Sequence, residues 1–393
     1  MAAPTAESGR PSARVDPTRS RSGRLPVPPP YPGRVPVSVP DHPTRYDLDR
    51  SQLGALLDGE PRYRIDQLWT GLYEQARPLD ELTTLPQSLR SRLDADLPLA
   101  LDPVHESASA DGATVKWLWE LRGGARVETV LMHYDERSTV CVSTQAGCAM
   151  ACGFCATGQA GYERQLSVGE IVEQVIRSVQ RARLPDAGGR PRRVSNVVFM
   201  GMGEPMANYD AVWGAVERLQ GDLGISARHL TVSTVGIVPG IRRLADASLP
   251  VNLAVSLHAA NDTLRNELVP INRRYDLTTL GEACDDYVAR TRRRLSFEWA
   301  LIDGVNDRPS DADELAAYAR ARRAHVNLIP LNPTPGYPTR GTPPEGVRRF
   351  RDQLLALGTN ATVRQNRGTD IDAACGQLRA EHEISVGAPT RRR

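Results

Sequence analysis

The chain of 393 residues contains a single lysine, Lys116, among 49 lysines and arginines. A GC-rich coding sequence accounts for that bias without any function, although arginine also forks phosphates and stacks on bases. Formal net charge is only +2, too little to demand a polyanionic partner. No run of about 18 apolar residues occurs, so no membrane-spanning helix is expected. The first residues lack the charged start and apolar stretch of a secretory signal. Six cysteines, three of them clustered, do not form a disulfide framework and suit a reducing compartment. A cytoplasmic protein without a membrane partner is the expectation.

What is present divides the chain. Residues 1–45 hold eleven of the 30 prolines and seven arginines against three acids. Such a segment cannot bury enough apolar surface to offset its ordering entropy, so a disordered tail is expected, with a basic C-terminal tail at 381–393. Over 46–105, leucines recur at helical spacing (Leu53, Leu56, Leu57, then Leu79, Leu82, Leu85, Leu89 and Leu93), predicting a small helical accessory domain. Residues 106–137 carry two alternating runs, 113–121 and 126–134, around Arg122-Gly123-Gly124-Ala125, the pattern of a β-hairpin extension. From 138 to 380, strand-like runs at 138–143, 194–200, 229–235, 251–257, 295–302, 326–331 and 361–364 alternate with helical runs at 167–183, 210–219, 239–246, 277–293, 310–322 and 344–357. That repeat predicts an α/β fold, a partial (β/α)6 TIM-like barrel whose ligands sit at the C-terminal ends of the strands.

Residues 147–158 read GCAMACGFCATG, which sets Cys148, Cys152 and Cys155 at C-x3-C-x2-C among small neighbours. Thiolates so close in sequence converge and suit a soft metal. Three ligands to a four-iron cubane leave one iron open for a small molecule, whereas a closed zinc site wants four ligands, usually paired at C-x2-C. A zinc-bound RNA-binding module without catalysis is the alternative from a different class. The predicted strand ends add polar groups: Gly203 and Glu204, then Ser233, then Ser256 with Leu257 and His258, then Asn332. Singly each is a weak signal, and an isolated histidine is more often a packed residue than a ligand. Four such ends on one rim, beside an open iron, suit a polar nucleoside cofactor. Cys141 and Cys375 flank the same rim, and alone they read as inert thiols, as does Cys284.

Together with 63–69 and 127–130, these stretches resemble the RlmN/Cfr family of radical S-adenosylmethionine (AdoMet) enzymes, from about residue 46 to 378, and most closely its RlmN branch. The resemblance implies that Cys148, Cys152 and Cys155 bind a 4Fe–4S cluster and that Gly203, Glu204, Ser233, Ser256, Leu257, His258 and Asn332 hold AdoMet. It implies that Cys375 carries the methyl group as S-methylcysteine, that Cys141 is its transient disulfide partner and that Glu128 is the proton acceptor. The implied activity is methylation of adenine carbon 2, at adenine 2503 of 23S rRNA and adenine 37 of some tRNAs. A Cfr-like carbon-8 activity on rRNA is the closest rival, because the catalytic parts are shared.

Carbon 2 lies between two ring nitrogens and is electron-poor, while the AdoMet methyl is itself an electrophile. Passing that methyl through a cysteine thiolate separates the two problems. The implied route uses two AdoMet per turnover, one as methyl donor and one as radical source. The radical takes hydrogen from the S-methyl group, and the resulting carbon radical adds to the ring. Implied partners are 23S rRNA and tRNA, with the target base unstacked, and an electron donor such as flavodoxin or ferredoxin; a monomer is expected. Arg126, Arg164, Arg273, Arg274 and Arg367 lie near motif positions and are expected to be ordinary solvated arginines.

Overall fold

The computed structural model describes residues 43–184, 192–334, 336–364, 367–374 and 376–378. The expected tails, apart from residues 43–45, and Cys375 lie outside the described residues.

The first elements are helical: Arg50–Leu56 (α1), Tyr63–Trp69 (α2) and Gln87–Asp96 (α3). Asp49 starts α1 with a capping box to Gln52, satisfying amides that the helix cannot. The leucine repeat predicts more helix than forms. Pro78 and Pro86 interrupt it, leaving Leu79–Glu81 as one 3-10 turn, yet Leu79, Leu82, Leu85, Leu89 and Leu93 are all buried. Trp69 fastens this layer to the rest, its Nε1 donating to Asp222 Oδ1 at 3.1 Å while Arg218 lies 5.0 Å over its ring.

Strands Leu101–Ala108 (β1), Thr114–Leu121 (β2) and Arg126–His133 (β3) follow as an antiparallel meander, β2 and β3 forming the expected hairpin. Strand β1 has no counterpart in the sequence pattern. Most of it is exposed, and Pro103 sits beside a register shift, so it is a polar edge strand with little periodic signal. The meander is no separate sheet, because β3 pairs antiparallel with Ser138–Cys141 (β4). A small second sheet, Gln145–Gly147 (β5) with Tyr162–Gln165 (β6), then encloses the short helix Ala156–Ala160 (α4).

From β4 onward the pairing is parallel. Helix Val168–Arg183 (α5) leads to Val194–Phe199 (β7), Tyr209–Gly221 (α6) to Leu230–Thr234 (β8), and Val238–Ala245 (α7) to Asn252–Ser256 (β9). Helices Asp262–Leu268 (α8) and Leu277–Thr291 (α9) lead to Leu295–Leu301 (β10), Pro309–Ala321 (α10) to His325–Pro330 (β11), and Pro344–Ala356 (α11) to Ala361–Val363 (β12). The ten-stranded sheet runs β1-β2-β3-β4-β7-β8-β9-β10-β11-β12. The fold is thus the expected partial barrel of six βα units, with β12 completing the last crossover.

Register decides what faces inward. Lys116 pairs with Val130, Val130 with Cys141, Cys141 with Val198, and Val198 with Thr231. Further along, Ser233 pairs with Ala254 and Ser256 with Glu298. Because side chains alternate along each strand, Lys116, Glu128, Cys141, Ser233, Ser256 and Glu298 share one continuous face. The other face meets the helices: Thr129 Oγ1 receives Trp119 Nε1 at 3.0 Å and donates to Gln174 Oε1 on α5 at 2.9 Å.

Candidate active site

The cysteine loop spans from β5 to α4. Gly147, at φ +73°, lets the chain turn into it: a Cβ there would sit 1.9 Å from Gly161 O. Cys148 N–H donates to the same carbonyl at 2.7 Å, and Cys155 is the residue from which α4 starts. All three cysteines line one cavity, together with Gly203, Glu204, Ser233, Ser256, His258 and Asn332. Burial pushes the Cys148 thiol up to about 12 and the Cys152 thiol well above its ordinary value, Cys152 also feeling its two neighbouring sulfurs. Thiolates in such surroundings need a bound cation. Among the described residues, no three His, Cys, Asp or Glu side chains gather tightly enough for a single metal ion. Three cysteine sulfurs are the donor set of a cubane with one open corner and one short of a closed zinc site, so the lining fits an iron–sulfur cluster better than a structural zinc ion.

The opposite wall is built from strand ends. Glu204 follows β7 and is buried; its Oε2 accepts from Val235 N–H at 2.9 Å and its Oε1 from Met206 N–H at 3.0 Å. Burial outweighs those bonds and raises its carboxyl to about 7. Gly203, at φ +100°, leaves no space for a side chain beside Gln145, whose Oε1 receives Glu204 N–H at 2.7 Å. His258 stands just past β9 at φ +59°, an uncommon backbone for a non-glycine residue. Its Nδ1 accepts from Ala300 N–H at 2.9 Å, which leaves the proton on Nε2, and burial holds the ring neutral by pulling it down to about 3. Asn306 clamps this corner by donating to both His258 O and Ala300 O. Leu257 does not line the cavity: its side chain is fully buried and its N–H donates to Glu298 O at 3.0 Å.

Motif reading passes over the residue that ties this wall together. Arg265 on α8 is fully buried and reaches Val235 O at 2.6 Å, Leu257 O at 3.1 Å and Asn272 Oδ1 at 2.7 Å. It thereby fixes the backbone beyond Ser233 to the backbone at Ser256–His258. Its signal in sequence is one arginine among many. Arg164 is likewise no solvated arginine: it is buried in a two-pronged pair with Glu170 at 2.7 and 2.8 Å.

Glu128 and Cys141 lie beyond the cavity lining, on the same inward face of the sheet. Glu128 is buried, with Oε1 3.3 Å from Lys116 Nζ. Cys375 lies outside the described residues, but Gly376 lines the cavity and its carbonyl accepts from Ala156 N–H, next to Cys155, at 2.8 Å. Upstream, Asp372 O accepts from Lys116 Nζ at 3.2 Å and Asp370 Oδ2 from Ala110 N–H at 2.9 Å. The segment approaching position 375 is therefore held by the β-meander on one side, and the segment leaving it by the cysteine loop on the other.

Comparison with known proteins agrees with this geometry. Residues 142–318 match the radical SAM superfamily, which works with a 4Fe–4S cluster and AdoMet. A probable dual-specificity RNA methyltransferase RlmN from Salinispora tropica is 50% identical over 361 residues, covering 90% of this chain and 97% of that protein. One from Chloroflexus aurantiacus is 52% identical over 353 residues, covering 87% and 94%. The crystal structure of a radical SAM methyltransferase from Sphaerobacter thermophilus superposes with a TM-score of 0.82 at 50% identity, over 86% of this chain and 100% of that one. Among the described residues no helix is long and apolar enough to cross a membrane. With half its residues shared across nearly the whole length of several relatives, the chain belongs to the RlmN family of radical SAM methyltransferases.

Proposed function

We propose that the enzyme methylates carbon 2 of adenine in RNA, at adenine 2503 of 23S rRNA and adenine 37 of some tRNAs. The observation that carries this reading is the single inward face shared by Glu128, Cys141, Ser233 and Ser256, beside a cavity lined by three cysteines. When bound, the cluster and AdoMet supply a transferable methyl group and, after one-electron reduction, a hydrogen-abstracting radical. Cys148, Cys152 and Cys155 hold the cluster. Glu204 offers a carboxylate to the AdoMet ammonium, while Ser233, Ser256 and Asn332 offer polar contacts to its other groups, His258 offers an Nε2 donor, and Gly203 gives room for close backbone approach. Leu257 contributes by position: its side chain is buried and its carbonyl is held by Arg265 and Ala259 N–H, which sets the backbone between Ser256 and His258.

Cys375 accepts the methyl as a thiolate, Glu128 takes up the ring proton, and Cys141 releases the product by forming a disulfide with Cys375. Two AdoMet are consumed per turnover, and a flavodoxin or ferredoxin supplies the electron. The enzyme works as a monomer in the cytoplasm, where its RNA substrates are. Exclusion of water from the buried rim protects reactive species from side reactions. The deciding experiment is mass spectrometry of nucleosides in RNA from a deletion strain beside its complemented counterpart. Loss and return of 2-methyladenosine supports the proposal; appearance of the 8-methyl isomer instead, or no change, overturns it.

A further inference from the structure

We propose that Lys116 is a positioning residue whose ammonium keeps the Glu128 carboxylate ionised and fixed on the inward face; this rests on the reading of Glu128 as proton acceptor. Lys116 Nζ lies 3.3 Å from Glu128 Oε1, with the two side chains only 14% and 3% exposed. A buried carboxyl group loses its hydration and tends to hold its proton, and a protonated acid cannot accept another. An ammonium at ion-pair distance opposes that tendency, and away from solvent it is little screened by salt.

The composition makes the same point. Among 49 lysines and arginines this position alone is lysine. A compact ammonium with three donors can serve a carboxylate and a carbonyl at once, where a planar guanidinium wants a broader partner. The second partner is Asp372 O at 3.2 Å. It belongs to a segment anchored independently by Ala110 N–H to Asp370 Oδ2 and by Arg367 Nη1 to His133 O at 3.1 Å. The ammonium is thus braced between a strand and a tethered loop.

Other titratable groups turned toward this face have their own partners. The Glu120–Arg126 pair closes at 3.0 Å at the exposed end of the hairpin, and Asp372 Oδ1 accepts from Gln377 Nε2 at 3.2 Å. His105 pairs across from Leu118 on β1, and Cys141 lies across from Val130 on β4.

The test uses the full-length chain. In infrared difference spectra of metal-free protein at neutral pH, Lys116→Met minus Lys116→Met/Glu128→Gln is expected to show the carbonyl band of a protonated carboxyl, and wild type minus Glu128→Gln to show an ionised carboxylate. In the reconstituted enzyme, Lys116→Met is expected to form methylated RNA about 100-fold more slowly at neutral pH. Its rate should climb about tenfold per pH unit above that, while Lys116→Arg keeps the charge and so an unchanged pH profile, at a lower rate because the planar guanidinium fits the two acceptors less well. Lys116→Gln, which keeps a donor for Asp372 O but no charge, must behave as the methionine variant does. An ionised Glu128 and a wild-type pH profile in Lys116→Gln overturn the inference, whatever the methionine variant does. Wild-type methylation by Glu128→Gln would instead overturn the underlying reading of Glu128.

Discussion

Arg265→Met is the sharpest test of how the cofactor wall is held. Burial pulls the guanidinium down only to about 10, so it stays cationic at neutral pH and donates to neutral acceptors. Three of its bonds are 2.6–3.1 Å long, two of them to the carbonyls of Val235 and Leu257. Hydrogen bonds from a charged group contribute about 1.5–3 kcal/mol each. Removing them leaves Val235 O and Asn272 Oδ1 without this donor, whereas Leu257 O keeps Ala259 N–H at 2.8 Å, and methionine also spares the desolvation of a buried cation. With two neutral acceptors left unsatisfied, the net loss is expected to be about 2–4 kcal/mol, a large share of the roughly 5–15 kcal/mol that holds a protein folded. Arg265→Lys should lose about 2 kcal/mol, since an ammonium cannot span the same fork of acceptors. Urea unfolding of metal-free protein followed by circular dichroism gives the first number. Equilibrium dialysis with AdoMet gives the second readout, an affinity about tenfold weaker as the strand ends relax. A methionine variant within about 1 kcal/mol of wild type, with unchanged AdoMet binding, would refute the claim that Arg265 organises this wall.

Glu204 predicts two opposite pH effects. Its carboxyl is raised from 4.5 to about 7 in the folded protein, so its contribution to stability is fully present below about pH 4.5 and is lost as pH rises through about 7. That loss is about 3 kcal/mol, and Glu204→Gln should flatten the pH dependence of apo-protein unfolding. AdoMet binding should run the other way, weakening about tenfold per pH unit below 7 as the carboxylate is lost; a pH-independent dissociation constant in wild type counts against Glu204 as the ammonium partner. Gly147→Ala must force a Cβ against Gly161 O, and the reconstituted variant should retain little iron. Replacing Cys148, Cys152 or Cys155 singly by alanine should likewise abolish the brown chromophore, and a colourless wild type rich in zinc would overturn the cluster itself.

Much of the barrel was legible because its strands are short apolar runs between glycine- and proline-marked turns. Each of the seven predicted strands appears, ending within about two residues of the pattern. The elements that escaped prediction carry weak patterns. Strand β1 is polar and exposed, β5 is three residues long, and α8 hides among the turns before α9. The cavity cysteines and polar strand ends were legible since chemistry at a barrel rim concentrates at fixed points along the chain. Arg265, Asn306 and the Arg164–Glu170 pair were not, because they serve carbonyls or charges brought near only by folding. The role of Lys116 depends on register: only the pairing of β2 with β3 shows that it and Glu128 share a face. Proline likewise overrode the leucine repeat near Leu79, where burial survived and helix did not.

The pairing of β3 with β4 has a geometric consequence. Strand β4 has hydrogen-bonded neighbours on both sides, so it cannot also join β12 and the cylinder is left with a seam. Across that seam runs a clasp, residues 367–374, fastened to the meander by a few side-chain bonds instead of a strand ladder. Opening that flank would therefore cost a few polar contacts and the packing of Ala373 and Ile371, without any unzipping of the sheet.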